Sequence, residues 1–187
     1  MRKIVVVSLL VLLVAVTASA GTVVVNFDNL TGTGLVPDGY GGINWSGNWT
    51  YYDSAQPPYN PSSPPSRVYD SNIAVFPQDT FSFVNPAGEV FLGAWFAGYP
   101  EATITFNLFN GANLVWTSNT LAPTDVPAFL TSGYSGLVTS VQVLSPEPDT
   151  FIMDDVTYST VPEPSSLMLL GTGLMAGIGA IRRKQRA

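Results

Sequence analysis

Between residues 21 and 160 the apolar positions recur in short alternating runs, and a period of two is the mark of half-buried β-strands. Thr103, Thr105 and Asn107 interleave with Ile104, Phe106 and Leu108, which sets one face outward and one inward. The pattern predicts strands over 22–27, 42–45, 73–76, 80–84, 90–96, 102–108, 114–117, 128–131, 137–144 and 151–158. Turn signals separate them at Asn85-Pro86-Ala87-Gly88, Gly98-Tyr99-Pro100, Asn110-Gly111 and Ser145-Pro146-Glu147-Pro148. Asn110-Gly111 between two such runs predicts a hairpin. No amphipathic helix interrupts this stretch, and no internal repeat is present. About ten strands in roughly 140 residues predict an all-β fold, a β-sandwich and most simply a jelly roll. The loop 53–66 carries Pro57, Pro58, Pro61, Pro64 and Pro65, so it is neither helix nor inner strand. A loop this long in a compact domain is a binding loop or a loose excursion.

The two ends break the alternation. Met1-Arg2-Lys3, an apolar run from Ile4 to Val16, and Ala18-Ser19-Ala20 have the three parts of a secretory signal peptide. Cleavage after Ala20 leaves Gly21 as the mature start. The apolar run falls short of the roughly 20 residues a membrane span needs. At the other end, Val161-Pro162-Glu163-Pro164 precedes an uncharged stretch from Ser165 to Ile181, then Arg182, Arg183, Lys184 and Arg186. That stretch is at the short end of a transmembrane helix. The basic tail orients it with the tail in the cytoplasm and the body outside. The expected organisation is a signal peptide over 1–20, a β-sandwich over 21–160 and a C-terminal anchoring segment over 161–187.

Charge sharpens the division. The whole chain has 13 acids and 7 bases, a net charge of −6. Segment 21–164 holds all 13 acids and one base, Arg67, for a net of −12. Such a body repels nucleic acid and tolerates divalent cations. Arg67 is expected to be ion-paired, for example with Asp70, with ligand binding as the lesser alternative. The chain has no cysteine and no histidine, which removes disulfides, thiolate metal sites, cysteine nucleophiles and every Ser-His-Asp arrangement. Thirteen acids always supply a carboxylate pair, so a glycosidase pair is not singled out. The expectation is a protein that is not an enzyme. Three sequons, at Asn29, Asn44 and Asn48, would matter only in a eukaryotic secretory pathway.

Pro162-Glu163-Pro164, a short hydrophobic stretch and an arginine-rich end, in that order, resemble the PEP-CTERM sorting signal. The resemblance covers about 27 residues. It implies recognition of Pro162, Glu163 and Pro164, with Arg182 and Arg183 as the basic end, by an exosortase. It also implies a temporary membrane anchor and export across the inner membrane of a Gram-negative bacterium that makes extracellular polysaccharide. The destination is then the cell surface or the extracellular matrix.

Two further groups of residues bear on ligands. Asp28 near the mature start and Asp154-Asp155 near the end come together if the first and last strands are neighbours. Adjacent carboxylates repel unless protonated or bridged by a hard cation, and calcium takes the oxygen ligands such a site offers. The alternative is that these aspartates cap strand ends or accept hydrogen bonds from loop amides. Tyr40, Trp45, Trp49, Tyr51, Tyr52, Tyr59 and Tyr69 crowd into 30 residues with Asn44, Asn48, Asp53 and Asn60 among them. Flat rings stack on sugar faces while amides and carboxylates bond hydroxyls. Tyr40, Trp49, Tyr51, Tyr52 and Tyr59 are the carbohydrate candidates. Trp45 and Trp95 read as core, and Trp116 fits either role.

Phe27-Asp28-Asn29-Leu30, Tyr40-Gly41-Gly42-Ile43-Asn44-Trp45 and Phe151-Ile152-Met153-Asp154-Asp155-Val156 resemble exported galactose-binding-like jelly rolls. Those are similar to carbohydrate-binding modules, several of which hold a structural calcium where the first and last strands meet. The usual Phe-Asp-Asp is Phe27-Asp28-Asn29 here, so one carboxylate is a neutral amide. The resemblance implies a non-catalytic carbohydrate-binding module, with polysaccharide as partner and calcium as a structural ion. The competing expectation is a structural, acidic surface protein that binds cations without recognising sugar.

Overall fold

The computed structural model describes residues 20–46, 49–70, 78–147, 149–160 and 173. The signal peptide, the predicted strand 73–76, Pro162-Glu163-Pro164, the C-terminal apolar stretch and its arginines lie outside the described residues. Among the described residues no helix is long and apolar enough to cross a membrane. Gly21–Thr160 forms one compact unit.

That unit is two antiparallel sheets, a β-sandwich with jelly-roll-like topology. The first sheet contains β1 (Gly21–Val25), β2 (Thr33–Leu35), β4 (Trp49–Tyr52), β5 (Arg67–Asp70), β7 (Val90–Gly98), β10 (Ala128–Thr131) and β12 (Phe151–Thr160). Its order is β10-β7-β12-β5-β4-β2. The second contains β3 (Ile43–Asn44), β6 (Gln78–Phe83), β8 (Thr105–Asn110), β9 (Asn113–Thr117) and β11 (Ser140–Leu144), ordered β3-β6-β11-β8-β9. Asn110 pairs with Asn113 around Gly111, so the expected hairpin is present as β8–β9.

Strand β12 organises the first sheet. Its ten residues are long enough to take two partners end to end on one side. Val25 of β1 lies opposite Val156, and Val68 of β5 lies opposite Met153. The first and last strands are thus neighbours, as the closure of a jelly roll requires. The junction of β1 and β5 falls on Asp154-Asp155.

The core between the sheets is a chain of aromatic contacts. Phe27 meets Trp45 at 5.2 Å, and Trp45 meets Phe81 at 5.4 Å. Phe81 leads to Phe91 at 5.9 Å, Phe91 to Phe106 at 5.0 Å and Phe106 to Phe96 at 5.6 Å. Edge-to-face geometry dominates, as ring quadrupoles favour. Three short strands, β2, β4 and β5, were absent from the sequence pattern. Trp95 is not core: it is half-buried, opposite Asp154, with Phe129 edge-on at 5.7 Å. Trp45 is fully buried, as expected. Trp116 stays 44% exposed and stacks on Tyr134.

Candidate functional site

Alternation along the short strands builds the site. Val68 and Met153 face the core, so their neighbours Arg67, Tyr69, Ile152 and Asp154 belong to the opposite, outer face. Tyr52 lies opposite Arg67, and Thr33 opposite Tyr52. An outer-face row therefore runs Thr33, Tyr52, Arg67, Asp154, with Trp95 opposite the last. The proline-rich segment between β4 and β5 folds back over this row. Tyr59 donates its hydroxyl to the Asp149 carbonyl at 2.7 Å and sets its ring edge-on to Tyr99. Asn60 donates to the Asp125 carbonyl at 2.7 Å.

Between the returning loop and the sheet is a cleft of about 320 Å³. Tyr52, Tyr69 and Tyr59 supply rings, Thr33 and Gln56 supply neutral polar groups, and Arg67 supplies charge. Asp149, Phe151 and Ile152 complete its lining. Arg67 sits at the floor, 1% exposed. Its guanidinium lies 4.9 Å from the Tyr52 ring centroid, a cation–π distance. Nη1 donates to the Tyr52 carbonyl at 3.4 Å, while Nη2 is buried with no hydrogen-bond partner among the described residues. Burial lowers the Arg67 pKa, and Tyr52, Asp154 and Asp53 oppose that shift. Asp70, proposed as its ion-pair partner, is three residues along the same strand and so belongs to the other face. Burial also raises the Tyr59 hydroxyl, with Tyr99 and Asp149 adding to it.

Beside the cleft Asp154 and Asp155 share Ser63 as a donor, and the Asp28 charge is near enough to act on Asp154. Asp155 has a left-handed φ of 46° within a register shift of β12 against β7. Such a bulge turns two successive side chains toward one side, where a regular strand would separate them. Ser63 donates its amide to Asp154 Oδ2 at 2.9 Å and its hydroxyl to Asp155 Oδ1 at 2.8 Å. Ser62 donates its hydroxyl to Asp155 Oδ2 at 2.8 Å. Asp28 accepts from Asn26 Nδ2 at 2.8 Å and, at 3.4 Å, from the Ser66 amide. Asp154 is fully buried. Burial raises its carboxyl to about 8, the Asp155 and Asp28 charges add to the rise, and the Ser63 and Asp155 amides oppose it. The donor set is oxygen-only, which is calcium chemistry. As they stand, however, these oxygens take N–H and O–H donors, and no group of three or more acids is placed as a metal cage among the described residues.

The aromatic candidates divide. Tyr52 and Tyr59 line the cleft. Trp49 is fully buried against Trp45 at 6.2 Å, so it has no face to offer a sugar. Tyr51 packs against the core cluster, on the face opposite Tyr52. Tyr40 stacks on Phe27 and donates its hydroxyl to Asn29. Burial raises the Tyr40 hydroxyl, with Asp28 adding to it. Tyr69 of the aromatic cluster and Arg67, for which ligand binding was the lesser alternative to an ion pair, also line the cleft, whereas Thr33 and Gln56 carried no signal in the sequence.

Residues 160–184 match the PEP-CTERM protein-sorting motif. The motif marks the chain for export and exosortase-mediated sorting toward the cell surface. No curated protein sequence matches this chain. Among solved structures, the K2 cleaved adhesin domain of Lys-gingipain is similar at 12% identity with a TM-score of 0.51. The match covers 75% of this chain and all of that domain. A CBM29-2 variant, a family 29 carbohydrate binding module, matches at 12% identity and a TM-score of 0.45, over 78% of this chain and 99% of that one. A family 29 carbohydrate binding module matches at 14% identity and 0.42, over 76% and 90%. With the adhesin domain the shared property is the fold.

Proposed function

We propose that this is an exported, exosortase-sorted surface or matrix protein whose β-sandwich binds carbohydrate, without catalysis, in the cleft under the proline-rich loop. One observation carries the reading. Three tyrosine rings, a threonine hydroxyl, a glutamine amide and a guanidinium line one cleft of about 320 Å³. Small-ligand sites combine apolar walls with a few convergent polar groups, and tyrosine supplies both a plane and a tip. The sorting motif supports the destination, and the C-terminal apolar stretch serves as a temporary anchor before processing.

The test is affinity electrophoresis of the full chain in detergent, through gels containing exopolysaccharide extracted from the producing cells. Retardation is expected. Tyr52→Ala and Tyr59→Ala should each weaken it roughly two- to tenfold. Mobility that is unaffected by the polysaccharide would remove the reading.

The paired carboxylates of Asp154 and Asp155, with the Asp28 charge near them, favour a second reading, an acidic surface protein stabilised by cations. Calcium would bind there by taking Asp154 and Asp155 from Ser62 and Ser63. A calcium-dependent rise in the melting midpoint, abolished by EDTA and by Asp28→Ala, supports it. A midpoint indifferent to calcium leaves the aspartates as a hydrogen-bonded clasp on the loop.

A further inference from the structure

We propose that the cleft selects a sugar residue bearing a carboxylate, a uronic acid, whose carboxylate is received by Arg67; this rests on the carbohydrate reading of the same cleft. Arg67 is the only base in 21–164, and it is placed on the cleft floor rather than on the solvated surface. A guanidinium has five N–H donors in a fixed fork. Here Nη1 has one long bond, and Nη2 is buried without a partner among the described residues. An unmet buried donor is costly, and on a charged group more so.

The surrounding acids do not resolve this. Both oxygens of Asp154 are engaged by the amides of Ser63 and Asp155. Asp53 accepts from the Gly32 amide and from the Ser54 hydroxyl. A neutral sugar hydroxyl would satisfy the empty donor but leave the charge unmatched. A carboxylate answers both, since its two oxygens fit the guanidinium fork.

The rest of the cleft suits a sugar ring attached to that carboxylate. Tyr52 and Tyr69 flank Arg67 from β4 and its own strand, and Thr33 and Gln56 also line the cleft. The body's net charge of −12 opposes a polyanion at long range, but that repulsion is screened beyond about 8 Å at physiological salt. Recognition is therefore a local contact with one carboxylate.

The experiment is calorimetric titration of the full chain in detergent, at physiological salt, with tri-galacturonate, tri-glucuronate and tri-mannuronate. Each is compared with its methyl ester, which keeps the ring and removes the charge. At least one free acid should bind tenfold or more tighter than its ester. Arg67→Gln should bring that acid to the level of the ester, with far-ultraviolet circular dichroism reporting whether the variant is folded. The acid–ester comparison on the unaltered chain needs no variant. If esters bind as tightly as acids, the charge selection is wrong and the carbohydrate reading stands. If no acid and no ester binds, the uronate assignment fails. Failure of the extracted polysaccharide to bind as well would remove the carbohydrate reading with it.

Discussion

The buried carboxyl of Asp154 makes the stability of this fold depend on pH in an unusual direction. Its folded pKa of about 8 lies above the ordinary 3.8, so folding favours the protonated form. The contribution is full below the unfolded value. It is lost progressively as pH rises from about 4 to about 8, and above that the penalty is constant. The slope is about 1.4 kcal/mol per pH unit, on the order of 4 kcal/mol between pH 5 and 8. Against a total stability of about 5–15 kcal/mol that is a large fraction. No histidine titrates in this window. Among the described residues, the charged groups near Asp154 are Asp155, Asp28 and Arg67. The assay is urea unfolding of the full chain in detergent at half-unit steps from pH 5 to 8, beside Asp154→Asn. The unaltered chain should lose stability steadily toward pH 8, and the variant should give a flatter profile. Stability that rises with pH, or an unchanged slope in Asp154→Asn, would refute the reasoning.

Other consequences follow from single contacts. Phe106→Ala removes a fully buried ring that meets Phe91 and Phe96, and should cost about 3–5 kcal/mol in urea unfolding. Ser63→Ala keeps the amide bond to Asp154 but loses the hydroxyl bond to Asp155, so hydrogen exchange in the loop 53–66 should quicken with about 1 kcal/mol less protection. Deleting Pro162-Glu163-Pro164 should leave the unprocessed form accumulating in cells, read as a larger band on immunoblots; normal processing would count against recognition of that tripeptide.

The sandwich was readable because its longer strands alternate cleanly, and β10 falls on the expected residues. The closure of β1 on β12 is what a jelly roll implies, and it brings Asp28 toward Asp154-Asp155. The strands β2, β4 and β5 were hidden for a physical reason. They have four residues or fewer, and β4 puts aromatics on both faces, so hydrophobicity shows no period of two. Trp49 looked like a sugar platform for the same reason: its type is visible in the sequence and its face is not. The cleft depends on which strands pair. Arg67 meets Tyr52 only through the β4–β5 register, and the 14 residues between them hide that adjacency. The outward direction of Trp95 depends likewise on the register of β7 with β12.

The most direct test of the central claim maps where carbohydrate contacts the chain. Fragments of the native exopolysaccharide would be titrated into the nitrogen-15-labelled full chain in detergent, with amide resonances followed by two-dimensional NMR. The account predicts saturable shifts concentrated at Thr33, Tyr52, Gln56, Tyr59, Arg67 and Tyr69. Shifts centred instead on the exposed Trp116 and Phe129, or no shifts at all, would contradict it.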